Sequence, residues 1–321
     1  MDTEYSPIAL FVYKRLDHVI KTVTALKGNP EAEQSVLYVF SDAAANTTDR
    51  DGVKAVRRYI KELDGFKEVI VIERETNWGI EKSEIDGVSF AINKHGKVIV
   101  VEDDLEVCDQ FLYYMNQGLQ EYKDDKSVYT ITGYSFLKTD AANDGVYGYT
   151  RSFCAWGWGT WLDRWQHFKE TVDKRDVRFV MAHKTALDNG QDFSYLFMHQ
   201  YKYDKLTWDV AWYYSCFANG GLTVFPYNTM VNNIGMDGSG VHYKDSSRKN
   251  RIESINDRKK VKFPLKFVSL EKSTTDTVAY SKFSHKKTLI KRAKMFLRFW
   301  VNALEILAFG KRNVAIKLEK S

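Results

Sequence analysis

Two patterns alternate along the first third of the chain. Apolar runs of strand length, "PIALFVY" (7–13), "SVLYVFSD" (35–42), "FKEVIVIERE" (66–75) and "KVIVVEDD" (97–104), are separated by stretches of helical periodicity. Leu16, Val19, Ile20, Val23 and Leu26 share one helical face, and Gly28 supplies a stop. Val53, Val56, Tyr59 and Ile60 do the same in a second helix, and a third is predicted over 80–96. A helix over 111–122 and a strand over 127–135 continue the series. Strands that are apolar throughout are buried on both faces. Strict alternation of such strands with helices predicts an α/β fold, a mostly parallel sheet with helices on both faces.

After Tyr149 the regularity breaks. "CAWGWGTWLDRW" packs four tryptophans and two glycines into a short stretch. "LTWDVAWYYSCFANGG" predicts a helix opening at Thr207 and closing at Gly220 and Gly221. A strand and a Gly/Asn-rich loop, "GLTVFPYNTMVNNIGMDGSGVHY", follow, then a polar, charged stretch over 244–279. No internal repeat is present. Near the end, Phe296, Phe299, Trp300, Ala303, Leu304 and Leu307 recur at helical spacing. Lys286, Lys287, Lys291, Arg292, Lys294 and Arg298 crowd the first half of that segment.

In a parallel sheet the ligand sits beyond the carboxyl ends of the strands. Here those ends are polar: Tyr13-Lys14-Arg15, Ser41-Asp42, Arg74-Glu75-Thr76-Asn77 and Glu102-Asp103-Asp104. The last is the most informative, because carboxylates at the end of a buried strand are costly unless a cation neutralises them. A hard divalent ion, Mn2+ or Mg2+, does so with one or two protein carboxylates and phosphate oxygens. The bland alternative is a solvated acidic turn with Asp109 capping the next helix.

Composition narrows the class. The chain has 321 residues, 44% hydrophobic and 14% aromatic, enough for a sizeable core. Three widely spaced cysteines, Cys108, Cys154 and Cys216, form neither a zinc pattern nor a disulfide framework, which points to a reducing compartment. Met1 leads into "DTEYS" without a basic segment and an apolar run, so no signal peptide is expected and the location reads as cytoplasmic. No stretch reaches the roughly 20 apolar residues of a spanning helix. The net charge of +5 is concentrated toward the end of the chain. Nucleic acid is not an expected partner, since no recognised DNA or RNA module surrounds these basic residues.

"VIVVEDDLEVCDQFLYYM" resembles the metal-binding segment of GT-A glycosyltransferases, nearest to the N-acetylglucosaminyltransferase I type. "IALFVYKR", "VFSD", "TITGYSFL", "YTRSFCAWGWGTWLDRW", "TWDVAW" and "VNNIGMDGSGVHY" resemble further family segments in the family's order. The chain departs from the family at Trp208-Asp209-Val210-Ala211-Trp212, where a second aspartate is absent, and in the larger side chains of Trp156 and Trp158. The resemblance implies a GT-A, Rossmann-like catalytic domain over 1–245. Within it, 1–135 would bind the nucleotide-sugar and 136–245 the acceptor, with a basic extension over 246–321.

The resemblance also implies roles. Asp104 would hold the metal, with His242 as a second ligand or phosphate donor. Glu102 and Asp103 would meet ribose and sugar hydroxyls, and Tyr13, Arg15 and Asp42 the nucleotide. Lys82 would reach the diphosphate, or else be a solvated helix lysine. Trp156, Gly157, Trp158 and Trp208 would form the acceptor side, core packing being the alternative for the tryptophans. Asp209 is the candidate general base, since inverting transfer needs a carboxylate to take the acceptor proton. An aspartate complementing a helix dipole beneath a Thr207 cap is its alternative.

The expected function is an inverting, metal-dependent transferase using a nucleotide-diphosphate sugar, a UDP-sugar by the resemblance, and a glycan or lipid-linked saccharide acceptor. A sugar nucleotidyltransferase would need a Gly-rich loop after the first strand, which "YKRLDH" lacks. A carbohydrate-binding protein with a degenerate site is the non-enzymatic alternative. The terminal segment reads as an amphipathic helix on an anionic membrane surface, at the inner face, or as a helix docked on the body of the protein.

Overall fold

The structure is a computed structural model and describes residues 5–135, 147–188, 192–226, 228–238 and 289–311. The sheet is built around β1 (Ile8–Val12), which pairs in parallel with β2 (Val36–Ser41) on one side and β4 (Lys97–Glu102) on the other. β3 (Glu68–Glu73) extends the parallel half beyond β2. The second half is mixed. β8 (Trp158–Trp161) runs antiparallel between β4 and β6 (Val128–Thr132). β9 (Leu222–Pro226) is parallel to β6, and β7 (Tyr147–Thr150) closes the edge antiparallel to β9. The order is β3-β2-β1-β4-β8-β6-β9-β7.

Side chains alternate across the strands, so each face receives a different core. Ile8, Leu10, Val12, Leu37 and Val39 face α1 (Leu16–Lys27), α2 (Arg50–Ile60) and α4 (Phe111–Glu121). Ala9, Phe11, Tyr38, Phe40, Val98 and Val100 face α3 (Gly79–His95) and α9 (Trp208–Ala218). The mixed α/β architecture expected from the alternating pattern is the one observed. Gly87 marks how closely α3 approaches: a Cβ there would lie 2.5 Å from the Phe11 ring.

The hydrophobic pattern predicts no strand at "WGTW", yet these residues form β8. Trp158 packs on the α3–α9 face and Trp161 on the other, and Gly159 between them clears the Val98 carbonyl, which a Cβ would approach to 2.9 Å. The strand's alternation rests on two tryptophans and is hidden by glycine. Also unassigned from the sequence are α5 (Leu162–Trp165), α6 (Lys174–Ala182), α7 (Lys184–Asp188) and α8 (Phe193–Lys202).

The last helix, α10 (Leu289–Phe309), packs on α6 and α8. Phe299, Ala303 and Ile306 are fully buried against Val177, Val180, Phe197, Met198 and Tyr213. Lys202 donates to Asn302 (2.9 Å) and pairs with Glu305, and Lys174 donates to the carbonyl of Leu307 (3.0 Å). The terminal segment therefore belongs to the folded body through one face. No helix among the described residues is long and apolar enough to cross a membrane.

Phe299→Ala should remove this anchor and leave a cavity. The expected cost is about 3 kcal/mol in urea unfolding; an unchanged midpoint would mean that α10 contributes nothing to the folded state.

Candidate active site

The chain leaves β1 toward β2 and β3, then returns to place β4 on the other side of β1. Such a switch in strand order opens a crevice beyond the carboxyl ends of the two strands. Residues 13–15 follow β1 at that point, and Glu102, Asp103 and Asp104 end β4.

Arg15, at the start of α1, reaches across the switch. Its Nη2 donates to Asp103 and to Asp104 Oδ2 (2.8 Å). Burial works against the guanidinium charge, but Asp103 and Asp104 outweigh it and raise the pKa. Asp103 is itself pushed upward, by burial first and by Asp104, with Arg15 opposing. Backbone contacts fix the acids further: Thr22 of α1 donates to the Asp103 carbonyl (2.8 Å), and the Ile234 amide to that of Asp104 (2.9 Å).

The Ile234 contact belongs to a return crossing of the chain. β5 (Leu105–Val107) pairs antiparallel with β10 (Val231–Asn233), and a 3-10 turn over Ile234–Asp237 then lies across the acids. A Cβ at Gly235 would sit 2.0 Å from Asp104 Oδ2 and 3.0 Å from Arg15 Nη1, so the crossing requires glycine. His18 faces Asp237 at 3.3 Å on the same side.

The opposite wall comes from α3 and α9. The Trp208 amide, at the first turn of α9, donates to the Glu81 carboxylate of α3. Thr207, the predicted cap, instead donates its amide and hydroxyl to Gln200 (3.0 and 3.1 Å). Glu81 thus ties α3 to the first turn of α9, which carries Asp209.

These carboxyls feel one another. Burial pushes Glu81 up to about 7, against the Trp208 amide and with Asp209 adding to the rise. Glu84 is fully buried and neither of its oxygens has a hydrogen-bond partner. Burial, then Glu102, Glu81 and Asp209, holds it well above the usual carboxylate range. Glu102 is raised in the same sense by desolvation, Asp104, Asp103 and Asp209, with Arg15 opposing. Cys154 feels Glu102 and Asp209 too. Burial pushes its thiol up to about 12, which removes it as a nucleophile.

The other predicted residues fall around this centre. The Tyr13 hydroxyl donates to Asp49 (2.9 Å) and accepts from the Ala45 amide (2.9 Å). Asp42 accepts from the Ala43, Trp78 and Gly79 amides and the Asn77 side chain, and so fixes the turn into α3. Lys82 is exposed, with its ammonium over the Trp78 ring at 3.8 Å, and Arg74 lies 4.0 Å from that ring. Trp158 and Trp208 are buried and stack at 5.5 Å, offering no open ring face. Gly157 has φ +62°, and a Cβ there would strike Phe111 and Val231 at 2.9 Å. Trp156 is half-buried, edge-on to Tyr134. His242 lies outside the described residues.

Glu81 and Glu84 were not singled out from the sequence. The signal was available at Glu84, which shares the apolar face of α3 with Gly87, Val88 and Ala91. A charged residue on a core stripe is rarely incidental.

The site can accept a cation on limited terms. Asp104 Oδ1 is buried and has no hydrogen-bond partner, and neither has the adjoining Arg15 Nη1. No group of three His, Cys, Asp or Glu side chains gathers as a cation cage among the described residues. A divalent ion held through Asp104, with its remaining ligands from a diphosphate and water, fits this donor set. Arg15 Nη1 would meet the same diphosphate.

No protein-family model matches the sequence. A search of curated proteins finds no match. Among solved structures the chain is similar to TarS of S. aureus, with 14% identity and a TM-score of 0.31 over 44% of this chain and 24% of that one. The chain thus spans about a quarter of the length of that protein. It is similar to TarS 1–349, with 11% identity and a TM-score of 0.42 over 94% and 80% of the two chains. It is also similar to the mannosyltransferase PcManGT from Pyrobaculum calidifontis, in complex with GDP-Man and Mn2+, with 12% identity and a TM-score of 0.42 over 97% and 90%. Likenesses at this level bear on neither activity nor substrate.

Two outcomes test the electrostatics. Arg15→Met leaves Asp103 and Asp104 uncompensated; it should cost about 3 kcal/mol in urea unfolding at neutral pH and less as the pH falls and Asp103, already raised, protonates. The Glu81 carboxyl releases its proton near 4.5 when unfolded and near 7 when folded. Its contribution is therefore fully present below 4.5 and is lost as pH rises through 7. Urea midpoints measured from pH 5 to 8 should decline less steeply in Glu81→Gln than in the wild type.

Proposed function

We propose that this chain is an inverting, metal-dependent glycosyltransferase of the GT-A type, moving a sugar from a nucleotide-diphosphate donor to a saccharide or lipid-linked glycan. The observation that carries the reading is that Glu102, at the end of β4, is raised above the usual carboxylate range by burial and then by Asp104 and Asp103 of its own strand end and by Asp209 at the start of α9. A general base and a diphosphate-binding acid must lie on the two sides of a transferred sugar, and these two elements supply them. A UDP-sugar is the donor we favour, on the resemblance of the "VFSD" and "VEDDLEV" segments.

The chemistry follows from the placement. The acceptor hydroxyl attacks C1 of the donor sugar as the bond from C1 to the phosphate oxygen breaks, and Asp209 takes the hydroxyl proton. A divalent ion held by Asp104, joined by His242 in our reading, would offset the charge of the departing diphosphate. Arg15 supplies a fixed positive charge to the same phosphates. Glu102 and Asp103 meet donor hydroxyls. Asp42 and Tyr13 shape the nucleotide end of the crevice, with Lys82 at its rim. Trp208 and Trp158 act from beneath by fixing the start of α9, while Gly157 and the half-buried Trp156 border the acceptor side.

Asp209→Asn retains shape and cannot accept the proton. Single-turnover transfer should slow by about 10²–10⁴, while donor affinity changes by less than about 1 kcal/mol. Near-normal transfer would remove Asp209 from the mechanism. Asp104→Ala should abolish metal-dependent binding of the nucleoside diphosphate without lowering the melting temperature, since β4 is packed by Val98–Val101 and not by the acid. Binding at wild-type strength would refute the metal assignment.

A further inference from the structure

Helix α10 carries two apolar faces, and only one is used. Phe299, Ala303 and Ile306 point into the body of the protein. At about 100° per residue, Leu297, Val301, Leu304 and Ala308 line the opposite side. Leu297 is 65% exposed, Val301 44% and Leu304 60%, and Ala308 is exposed too. Phe296 (57%) and Phe309 (87%) project near the two ends of the helix. A helix that only docked its core face would place polar residues on the outside. Five large apolar side chains exposed along one short helix call for an occupant.

We propose that this outer face is a peripheral membrane-binding surface that takes an anionic lipid bilayer, with α10 lying in the plane of the interface. Charge chooses the occupant. Lys294 and Arg298 are exposed beside the stripe, and the sequence adds Lys291 and Arg292 in the first turn of the helix. The single acid of α10, Glu305, is paired with Lys202 of α8, and among the described residues no carboxylate pairs with Lys294 or Arg298. Leucine and phenylalanine side chains reach the acyl boundary while lysine and arginine stems carry their charges to the headgroups. A spanning arrangement does not suit α10, because the helix is not apolar enough along its length to cross a bilayer and its other face is committed to α6 and α8. The inference does not depend on the sugar-transfer reading.

The test uses the full chain with vesicles of phosphatidylcholine alone or with one third phosphatidylglycerol. The wild type should float with the anionic vesicles and scarcely with the neutral ones. Raised salt should weaken binding, since each basic residue contributes roughly fivefold in affinity. Leu297→Gln with Leu304→Gln should lower binding at least tenfold at an unchanged melting temperature, both side chains being exposed in the folded protein. Lys294→Glu with Arg298→Glu should abolish the preference for anionic vesicles. Failure of the wild type to bind anionic vesicles would overturn the proposal and give the face to another segment of the chain. Sedimentation that shows a dimer dissolved by Leu297→Gln with Leu304→Gln would give it to a second copy. Vesicle binding that survives that double substitution would overturn it as well.

Discussion

The contact on which the site depends is the guanidinium of Arg15 between Asp103 and Asp104. Two acids at the end of a buried strand are tolerated only with positive charge beside them. Among the described residues Arg15 is the cation that pairs with both. It can do so because β1 and β4 are neighbours at the point where the strand order reverses. The compensation is partial. Asp103 is still raised, and one oxygen of Asp104 and one nitrogen of Arg15 remain unsatisfied. A site held in that condition favours a ligand that brings both a cation and anionic oxygens.

The same shortage of positive charge extends to the second wall. Glu81, Glu84 and Glu102 are all held toward their neutral forms by burial and by one another. Glu81 uses its carboxylate on the Trp208 amide, so the geometry of Asp209 depends on a residue of a different helix. Stacked Trp158 and Trp208 support that junction from the core. The crowded acids Glu81, Glu84 and Glu102 are those whose ionisation lowers stability as pH rises.

Much of this was legible in the sequence, for identifiable reasons. The parallel half of the sheet follows from apolar runs with no alternation, and its polar strand ends marked Arg15, Asp42, Glu102, Asp103 and Asp104. The region from 158 to 202 was not legible. Gly159 breaks up a strand whose only pattern is a pair of tryptophans, and α6 and α8 pack against α10, far away in the chain. Asp42 read as a ligand residue, but its four hydrogen-bond donors come from its own neighbour and from the turn into α3, a long-range fact. Glu81 and Glu84 needed the structure to show that their helix face meets the end of β4. For α10 the amphipathic pattern and the basic flank are plain in the sequence; only the fold separates the face that docks from the face that does not.

In the proposed reading, the β4 acids and Arg15 form a diphosphate site completed by a divalent ion. Calorimetric titration of the full chain with UDP, in the presence of Mn2+ and in its absence, tests this most directly. Saturable one-to-one binding that requires the ion is the expected result. Equal binding with and without Mn2+, or no binding in either condition, would contradict it.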